Sequence, residues 1–430
     1  MKENNLIDTL DSGDNTFITG SAGTGKTYSI EHYRKDSSHK RIALTATTGV
    51  AALQLGGETI HRFSGIGIET DMSSLPKITN KLTAMSYSNK WWEQERWDLL
   101  QSIETIVVDE VSMLRRDQFE LIDRVFRIVR SVDEPFGGIQ MVFVGDFLQL
   151  PPVVTEEELL EYPHMSESYC FQSTIWKQAE INFFELTKHH RQKDIEFLKI
   201  LECIRTGIVT SEVDDMMRSR LDAKLELNVS PLKLFPLRRS VQVENMKRLV
   251  GLPGEIKEYK AYFSGKEWEI QALKNEINAE EVLLLKNGAQ IMCIVNDRHG
   301  EYVNGSMGII TNLGTDSITV ELTNGEKVSI GRHVWQKKRY HMQGSGVAAE
   351  PVASMQQFPV KLAYASTIHK SQGMSLDAVE MDISNCFATG QAYVALSRVR
   401  SLEGLRLIGW HPKSVRADDT VLDFYRKMYL

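Results

Sequence analysis

Residues 20–27 read Gly20-Ser21-Ala22-Gly23-Thr24-Gly25-Lys26-Thr27 and fit the phosphate-binding pattern G-x-x-x-x-G-K-[ST]. The residues before them (NTFIT, 15–19) predict a short buried strand, and the residues after them (TYSIEHYRK) predict a helix. A strand, a glycine-rich loop and a helix in this order bring backbone N–H groups around a triphosphate at a helix N-terminus. The stretch therefore predicts an α/β nucleotide-binding domain, with a chance glycine-rich turn as the alternative.

Two side chains of this loop carry specific predictions. Lys26 would reach the β- and γ-phosphates of ATP, and the Thr27 hydroxyl would ligate Mg²⁺. The predicted nucleotide-binding set covers all eight residues of the loop and the next residue, Tyr28. ATP and Mg²⁺ are the predicted cofactors.

The composition is that of an ordinary globular protein. The 430 residues are 42% hydrophobic and 25% charged, which allows two to four domains. The chain has no run of about 18 apolar residues, so we expect no transmembrane helix. Its polar start (MKENNLIDTLDSGDN) does not resemble a signal peptide. The four cysteines are far apart without a C-x-x-C pair, so we expect no zinc site, no disulfide framework and a cytoplasmic location.

The net charge of −7 argues mildly against a nucleic-acid-binding protein, because such domains are often basic. The net charge does not exclude such a protein, however, since binding one strand needs only a local basic or polar groove.

Apolar runs alternate with helical patterns from the start of the chain to about residue 190. Strands are predicted at 41–48, 104–110 and 138–146, and a helix at 116–131 with five apolar residues on one face. Such alternation predicts a parallel sheet with helices on both faces, which binds ligands at the carboxyl ends of its strands. The apolar residues of the helix are Phe119, Ile122, Val125, Phe126 and Val129.

Two stretches interrupt this alternation. Residues 65–100 are polar and read as a small inserted subdomain, whose tryptophans we expect to form local core. Residues 257–358 carry short strand patterns with Asn-Gly turns at 287–288, 304–305 and 324–325, which predict a small antiparallel barrel. A second α/β unit begins near residue 232 and resumes with strands at 360–367, 377–384 and 405–410.

Acidic and amide side chains follow the predicted strands of the first unit. Asp109 and Glu110 end the run IETIVV, where Asp109 would hold Mg²⁺ and Glu110 would polarise the attacking water. Gln149, in GDFLQLPP, suits a γ-phosphate sensor, and an exposed glutamine in a capping turn is the alternative. The negative charge that develops on the γ-phosphoryl group during hydrolysis is commonly stabilised by an arginine, and the candidates are Arg191 and Arg398.

The motifs together resemble the Pif family of DNA helicases, the RecD-like branch of superfamily 1, subfamily B, in its compact bacterial and phage form. The resemblance covers residues 20–400 in the family's order. The matching strings are GSAGTGKT (20–27), TATTGVAA (45–52), TIHRFSGIG (59–67), DEVSMLRRDQFE (109–120), GDFLQLPPV (145–153), LTKHHRQ (186–192), STIHKSQGMSLD (366–377) and AYVALSRVR (392–400).

This resemblance implies a domain plan with two RecA-like parallel-sheet domains. The first would comprise 1–64 and 101–185, with a wedge-type subdomain at 65–100. The second would comprise 186–256 and 359–430, with an SH3-like β-barrel inserted at 257–358.

The resemblance also implies roles for individual residues. Lys26, Glu110, Gln149, Arg191 and Arg398 would be catalytic, and Thr27 and Asp109 would bind the metal. Gly373 would join Gln149 and the two arginines in the nucleotide site. The residues implied to line the single-stranded DNA track are Thr47, Thr48, Thr59, His61, Phe63, Ser366, Thr367, His369, Lys370 and Ser371. The hydroxyl, His and Lys side chains among them suit phosphate and sugar contacts that carry no sequence information, although helix capping is the alternative for an isolated threonine.

The implied function is an ATP-dependent helicase that moves 5′ to 3′ on single-stranded DNA and unwinds duplex or forked DNA, with ATP hydrolysed between the two RecA-like domains. The implied assembly is a monomer acting in DNA replication, repair and telomere maintenance, and G-quadruplexes and RNA–DNA hybrids stay open as substrates. Two alternatives also remain open: a DNA-stimulated translocase without strand separation, and a P-loop switch protein.

Two positions depart from the family pattern. His190 stands where an aromatic residue usually precedes the arginine of LTKHHRQ, and KENNLID lacks the glutamine that reads adenine in relatives. Asn4 or Asn5 would replace that glutamine, or adenine would be weakly selected.

Overall fold

The structure is a computed structural model that separates into two compact units. The described residues are 4–37, 40–67, 72–152, 168–192, 194–225, 230–235, 238–277, 279–343, 346–367 and 375–428. The first unit contains Met1–Lys188, Lys266–Glu276 and Gln336–Ala353, and the second contains His189–Gly265, Ile277–Trp335 and Ser354–Leu430. The predicted insertion at 257–358 therefore contributes to both units.

The helices and strands follow the predicted order. The helices are α1 (Asn4–Asp11), α2 (Lys26–Asp36), α3 (Gly49–Gln54), α4 (Ile60–Ser64), α5 (Leu75–Met85), α6 (Trp91–Ser102), α7 (Arg116–Arg130), α8 (Thr174–Gln178), α9 (Ile195–Arg205), α10 (Ser211–Ser219), α11 (Arg238–Val250), α12 (Glu267–Glu276), α13 (Gln391–Leu396) and α14 (Asp419–Met428).

The strands are β1 (Thr16–Thr19), β2 (Ile42–Ala46), β3 (Glu58–Thr59), β4 (Thr105–Asp109), β5 (Gln140–Val144), β6 (Asn182–Glu185), β7 (Leu232–Phe235), β8 (Lys257–Lys260), β9 (Tyr262–Gly265), β10 (Val282–Leu285), β11 (Gln290–Cys293), β12 (Met307–Leu313), β13 (Ser317–Leu322), β14 (Lys327–Gly331), β15 (His333–Gln343), β16 (Gly346–Gln357), β17 (Val360–Leu362), β18 (Ala365–Thr367), β19 (Val379–Asp382) and β20 (Leu405–Gly409).

The first unit is built on a parallel sheet with the strand order β3-β2-β4-β5-β1-β6. Strands β1, β2, β4 and β5 are buried along their whole length, because both faces of the sheet are covered. The predicted α/β class is confirmed. Every predicted polar motif of this unit follows the carboxyl end of a strand, so the motifs share one edge of the sheet.

Helix α7 packs by the stripe that its sequence predicts. All five apolar residues of that stripe are buried, and the ring of Phe119 lies 5.6 Å from that of Phe143 on β5. Aromatic pairs at this separation stabilise a core beyond the area that they bury. The helix that follows the DEVSM motif is therefore fixed against the sheet.

The predicted insertion at 65–100 is helical in its described residues. Ile78 and Leu82 of α5 and Leu99 and Leu100 of α6 are buried. Trp91 is 66% exposed, so the expectation that the tryptophans form local core is wrong for this residue. Trp91 is the first residue of α6, where an aromatic side chain need not face the core.

Segments from the second half of the chain complete the first unit. Strand β3 pairs with Thr45 and Ala46, the last two residues of β2. The Tyr340 hydroxyl of β15 accepts a hydrogen bond from Leu44 N (2.9 Å) and donates one to Leu44 O (3.1 Å). Burial raises the pKa of Tyr340 to about 12, so the hydroxyl keeps its proton.

The second unit contains a parallel sheet with the order β18-β7-β19-β20 and a five-stranded antiparallel sheet with the order β14-β13-β12-β11-β17. The predicted strand at 360–367 is in fact two strands. Val360–Leu362 pairs antiparallel with β11, and Ala365–Thr367 pairs parallel with β7. The stretch VKLAYAST contains no turn residue between the two strands, so its sequence does not mark the change of partner.

The β-rich character of 257–358 is confirmed. The turn at 324–325 closes a hairpin between β13 and β14, with Gly325 at φ 83° as such a turn needs. Shorter pairings join β8 to β10, and β15, β16 and β9 form a three-stranded sheet. The SH3-like barrel and the exact domain boundaries remain predictions.

Candidate active site

The loop between β1 and α2 has the conformation that its glycines predict. Gly23 and Gly25 adopt φ values of 86° and 84°, which favour glycine because a side chain would be strained there. A Cβ atom on Gly20 would lie 2.4 Å from Leu186 O, too close for any other residue. Helix α2 begins directly after Gly25, so its free N–H groups face the loop.

Lys26 and Tyr28 differ in their surroundings. The Lys26 Nζ donates to the carbonyl oxygens of Gly20 (2.6 Å) and Ser21 (3.1 Å), which keeps the ammonium group over the loop. Tyr28 is 68% exposed on the first turn of α2, where its ring is available to a ligand.

Thr27 and Asp109 form the predicted metal-binding pair. The Thr27 hydroxyl donates to Asp109 Oδ2 at 3.0 Å. Neighbouring ligands of an octahedral Mg²⁺ lie about 3.0 Å apart, given bonds of about 2.1 Å, so this spacing fits the ion. In the part of the chain that the structure describes, no cluster of three or more His, Cys, Asp or Glu side chains could hold a metal. The two oxygens of the pair would fill two of the six positions around a Mg²⁺ ion, which commonly takes its other ligands from substrate phosphates and water.

The electrostatics of Asp109 favour a bound cation. Burial raises the pKa of its carboxyl group above the ordinary value, while the Glu110 amide, the Thr27 hydroxyl and the Lys26 ammonium lower it. A buried carboxylate is costly unless a cation or several hydrogen bonds offset the lost hydration. A divalent ion here would lower the pKa and hold the carboxylate ionised.

Glu110 has an unusual backbone conformation. Its φ and ψ are 54° and 41°, in the left-handed region that L-residues other than Asn and Asp rarely adopt. Such strain is found at functional sites, where the surrounding structure maintains it. Here the Glu110 N–H donates to Asp109 Oδ1 (2.8 Å), and the Glu110 carbonyl accepts from the Thr47 hydroxyl (2.8 Å).

Gln149 lies in a tight turn after β5. Asp146 begins the turn, and its Oδ1 accepts from Leu148 N at 3.1 Å while its carbonyl accepts from Gln149 N at 3.0 Å. Gln149 is only 6% exposed, so the alternative of an exposed glutamine is wrong.

The predicted DNA-binding threonines are engaged in local hydrogen bonds. Thr48 caps α3 by accepting from Ala51 N, and Thr59 caps α4 by accepting from Arg62 N, both at 3.3 Å. A hydroxyl that accepts in a cap keeps its own hydrogen to donate. Capping and phosphate binding are therefore compatible at these two positions.

His61 and Phe63 of α4 lie in different environments. The His61 Nε2 is 3.1 Å from Gln118 Oε1 of α7, and burial lowers the pKa of the imidazole, so the ring is neutral near pH 7. The predicted DNA contact of Phe63 does not fit this structure. Its side chain is fully buried, packs edge-on against Tyr340 at 5.8 Å, and is covered by the Arg96 guanidinium at 4.8 Å.

Arg62, between those two residues, belongs to a charge cluster that the sequence did not predict. Its Nη2 lies 3.1 Å from both carboxylate oxygens of Glu269 on α12, and its Nε lies 3.2 Å from Glu58 Oε2. Glu269 is 1% exposed and also contacts Arg339 of β15. The position of α4 therefore depends on residues about 200 positions further along the chain.

In the second unit, Arg191 and Arg398 both donate hydrogen bonds to Ser397. The Arg191 Nη1 donates to Ser397 O at 3.1 Å. Arg398 is 2% exposed, with hydrogen bonds from Nε to Val394 O and from Nη2 to Ser397 Oγ, both 2.8 Å.

Gln192, which the sequence analysis missed, fixes the same segment. It is 2% exposed, and its Nε2 donates to Ser397 O and Val399 O, both at 3.0 Å. Its position beside Arg191 in the LTKHHRQ motif is the sequence feature that could have identified it.

Two of the remaining predicted residues, Ser366 and Thr367, belong to β18. Ser366 is buried in that strand and Thr367 ends it. His369, Lys370, Ser371 and Gly373 lie outside the described residues, so their roles remain predictions.

These features define a P-loop nucleotide-binding protein of the α/β class. A model of the "PIF1-like helicase" family matches residues 4–215. The ATP-dependent DNA helicase Pif1 of Bdellovibrio bacteriovorus is 33% identical to this chain, over 98% of this chain and 90% of that protein. The chain belongs to the PIF1-like helicase family, which confirms the resemblance seen in the motifs.

Solved structures show the same fold. Bacteroides sp Pif1 in complex with ADP-AlF4 matches with a TM-score of 0.87 and 32% identity, over 99% of this chain and 96% of that chain. Bacteroides Pif1 bound to ssDNA matches with a TM-score of 0.67 and 33% identity, over the same shares of each chain.

The vertebrate helicases that match are longer than this chain, which spans between 60% and 63% of their length. In the described residues of this chain, no helix has the length and apolar character needed to cross a membrane.

Proposed function

We propose that this chain is an ATP-dependent DNA helicase that moves 5′ to 3′ along single-stranded DNA and separates duplex strands. One observation carries the proposal. At the sheet edge that bears the P-loop, Asp109 accepts hydrogen bonds from the Thr27 hydroxyl and from the N–H of Glu110, whose backbone is strained. The names of the relatives support ATP-dependent helicase activity, and the Bacteroides complex with ssDNA supports DNA as the partner. The direction of movement rests on the family resemblance.

The residues of the first unit have different roles in ATP hydrolysis. The loop N–H groups and Lys26 bind and orient the phosphates, which holds the γ-phosphoryl group for in-line attack. Thr27 and Asp109 would hold Mg²⁺, which supplies charge neutralisation at the β- and γ-phosphates when bound. The Glu110 carboxylate accepts the proton of the attacking water, and Gln149 senses the γ-phosphate.

The arginines are assigned to the transition state on the basis of the family resemblance. Arg191 and Arg398 would stabilise the charge that develops on the γ-phosphoryl group. Their common attachment to Ser397 supports this assignment, because a movement of residues 397–399 would move both guanidinium groups.

The proposal extends to assembly and substrates. We infer that the chain acts as a monomer and that forked DNA is a substrate, with G-quadruplexes and RNA–DNA hybrids as further ones. Sedimentation with and without a forked DNA tests the first inference, and unwinding of each substrate tests the second.

ATPase measurements with and without single-stranded DNA test the proposed class of enzyme. We expect ATP hydrolysis that single-stranded DNA stimulates. Lys26→Ala should abolish it, since this change removes the positive charge that would bind the β- and γ-phosphates. Lys35→Ala is the matched control, because Lys35 is exposed in the last turn of the same helix. Hydrolysis that DNA does not stimulate would instead indicate a P-loop switch protein.

A further inference from the structure

Thr47 and Glu110 each follow a strand of the first sheet, and the strands are neighbours. The register pairs Ala46 with Asp109, so the next residues along the two strands lie side by side. The pairing continues beyond the strands, because Thr47 N donates to Asp109 O at 3.1 Å. The Thr47 side chain then reaches one residue further and donates to Glu110 O at 2.8 Å.

This hydrogen bond holds the residue whose backbone is strained. Glu110 is in the left-handed region, and its carbonyl direction depends on that conformation. A hydrogen bond to the carbonyl from a neighbouring strand favours the strained conformation over the relaxed alternatives. The direction of the Glu110 side chain depends on the same backbone angles, so Thr47 also affects where the carboxylate points.

A continuous line of hydrogen bonds extends from Thr47 to the P-loop. Thr47 donates to the Glu110 carbonyl, the Glu110 N–H donates to Asp109 Oδ1, and Thr27 donates to Asp109 Oδ2. These hydrogen bonds connect the loop after β2 to the proposed magnesium-binding pair, and all of them lie at the same edge of the sheet.

A threonine hydroxyl has a single hydrogen to donate. In this structure that hydrogen is directed to Glu110 O, whereas a DNA phosphate oxygen can only accept. Thr47 therefore differs from Thr48 and Thr59, whose oxygens accept in helix caps.

We propose that Thr47 is a positioning residue for hydrolysis, which holds Glu110 in its left-handed conformation and does not serve as a DNA phosphate ligand. The proposal deepens the proposed ATPase and rests on it. Loss of the hydroxyl would then slow the chemical step and leave ATP binding and DNA binding unchanged.

The test compares three variants by steady-state ATPase kinetics and by binding of single-stranded DNA. Thr47→Val removes the hydroxyl at nearly constant volume, and Thr47→Ser retains it. Thr45→Val is the matched control, since Thr45 is buried on β2 and donates a similar hydrogen bond to Val107 O of β4 (2.6 Å), away from Glu110.

We expect Thr47→Val to lower kcat about tenfold or more, with the ATP KM and the DNA affinity changed less than about twofold. Thr47→Ser should retain most of the wild-type kcat, and so should Thr45→Val. The proposal is overturned if Thr47→Val keeps more than about half of the wild-type kcat, or if Thr45→Val loses as much, because general destabilisation would then explain the loss. Weaker DNA binding at an unchanged kcat would make Thr47 a DNA ligand instead.

The wild-type control separates this inference from the proposed function. A wild-type protein without ATPase activity, with or without DNA, would overturn both. An active wild-type protein with an equally active Thr47→Val variant would overturn only the role of Thr47.

Discussion

The Thr27 hydroxyl donates to Asp109 Oδ2 across 3.0 Å, although 82 positions separate the two residues in the chain. This contact joins the phosphate-binding loop to the end of β4. It sets two oxygen atoms at the spacing that an octahedral magnesium ion needs.

Asp109→Asn tests this pair, because the amide keeps the shape of the carboxylate but removes the charge. We expect kcat for ATP hydrolysis to fall about a hundredfold or more, since the site would lose several kcal/mol of charge stabilisation. ATPase rates measured over a magnesium titration give the answer, and chelation of magnesium should abolish the wild-type rate. A variant with nearly wild-type kcat at saturating magnesium would contradict the assignment.

Arg191→Ala tests the arginine assignment. We expect a lower kcat with a nearly unchanged affinity for ATP, because the guanidinium is assigned to the transition state and not to the ground state. Rapid-mixing binding of a fluorescent ATP analogue, compared with turnover, separates the two effects. Equal losses of binding and turnover would mean that Arg191 is a ground-state ligand, and Arg191→Lys shows whether charge alone suffices.

Glu269→Ala tests the charge cluster around α4. Removing this carboxylate leaves Arg62 and Arg339 without their shared buried partner, and we expect about 3–5 kcal/mol less free energy of unfolding. Urea unfolding of the first unit measures the change. Glu267→Ala on the same helix is the control, since Glu267 is exposed and its loss should cost less than about 0.5 kcal/mol. Equal effects of the two changes would contradict the role of the cluster.

His61 predicts a pH dependence of stability. Burial lowers the pKa of this imidazole in the folded chain, so below about pH 6.5 the unfolded chain binds more protons than the folded one. The stability that His61 contributes is present above that pH and is lost as the pH falls toward the folded pKa.

Unfolding of wild-type protein and of His61→Gln at about pH 7.5 and about pH 5.5 measures this contribution. The variant should lose less stability on acidification than the wild type, whereas His299→Gln, at an exposed position, should behave like the wild type. Parallel acid sensitivity of wild type and His61→Gln would contradict the prediction.

The sequence predicts well which motifs meet at the P-loop edge of the first sheet, because the signals there are local. Each motif directly follows an apolar run, and parallel strands place their carboxyl ends together. The Thr27–Asp109 contact follows from this rule, and so does the buried stripe of α7.

The parts that the sequence could not predict depend on non-local partners. The pairing of Glu269 with Arg62 and the packing of Tyr340 against β2 bring distant segments into the first unit, and neither leaves a periodic pattern. The change of sheet within 360–367 is hidden because no Gly, Pro, Asn or Asp stands between the two strands. Phe63 was misassigned for a related reason: an aromatic residue in a DNA-binding motif has the same sequence signature whether it faces solvent or the core.

Unwinding of matched duplexes with a 5′ or a 3′ single-stranded tail, with and without ATP, tests the central claim most directly. A helicase that moves 5′ to 3′ predicts ATP-dependent strand separation of the 5′-tailed duplex, little separation of the 3′-tailed duplex, and none by Lys26→Ala. Stimulated ATP hydrolysis without separation of either duplex, or separation that starts only from the 3′ tail, would contradict it.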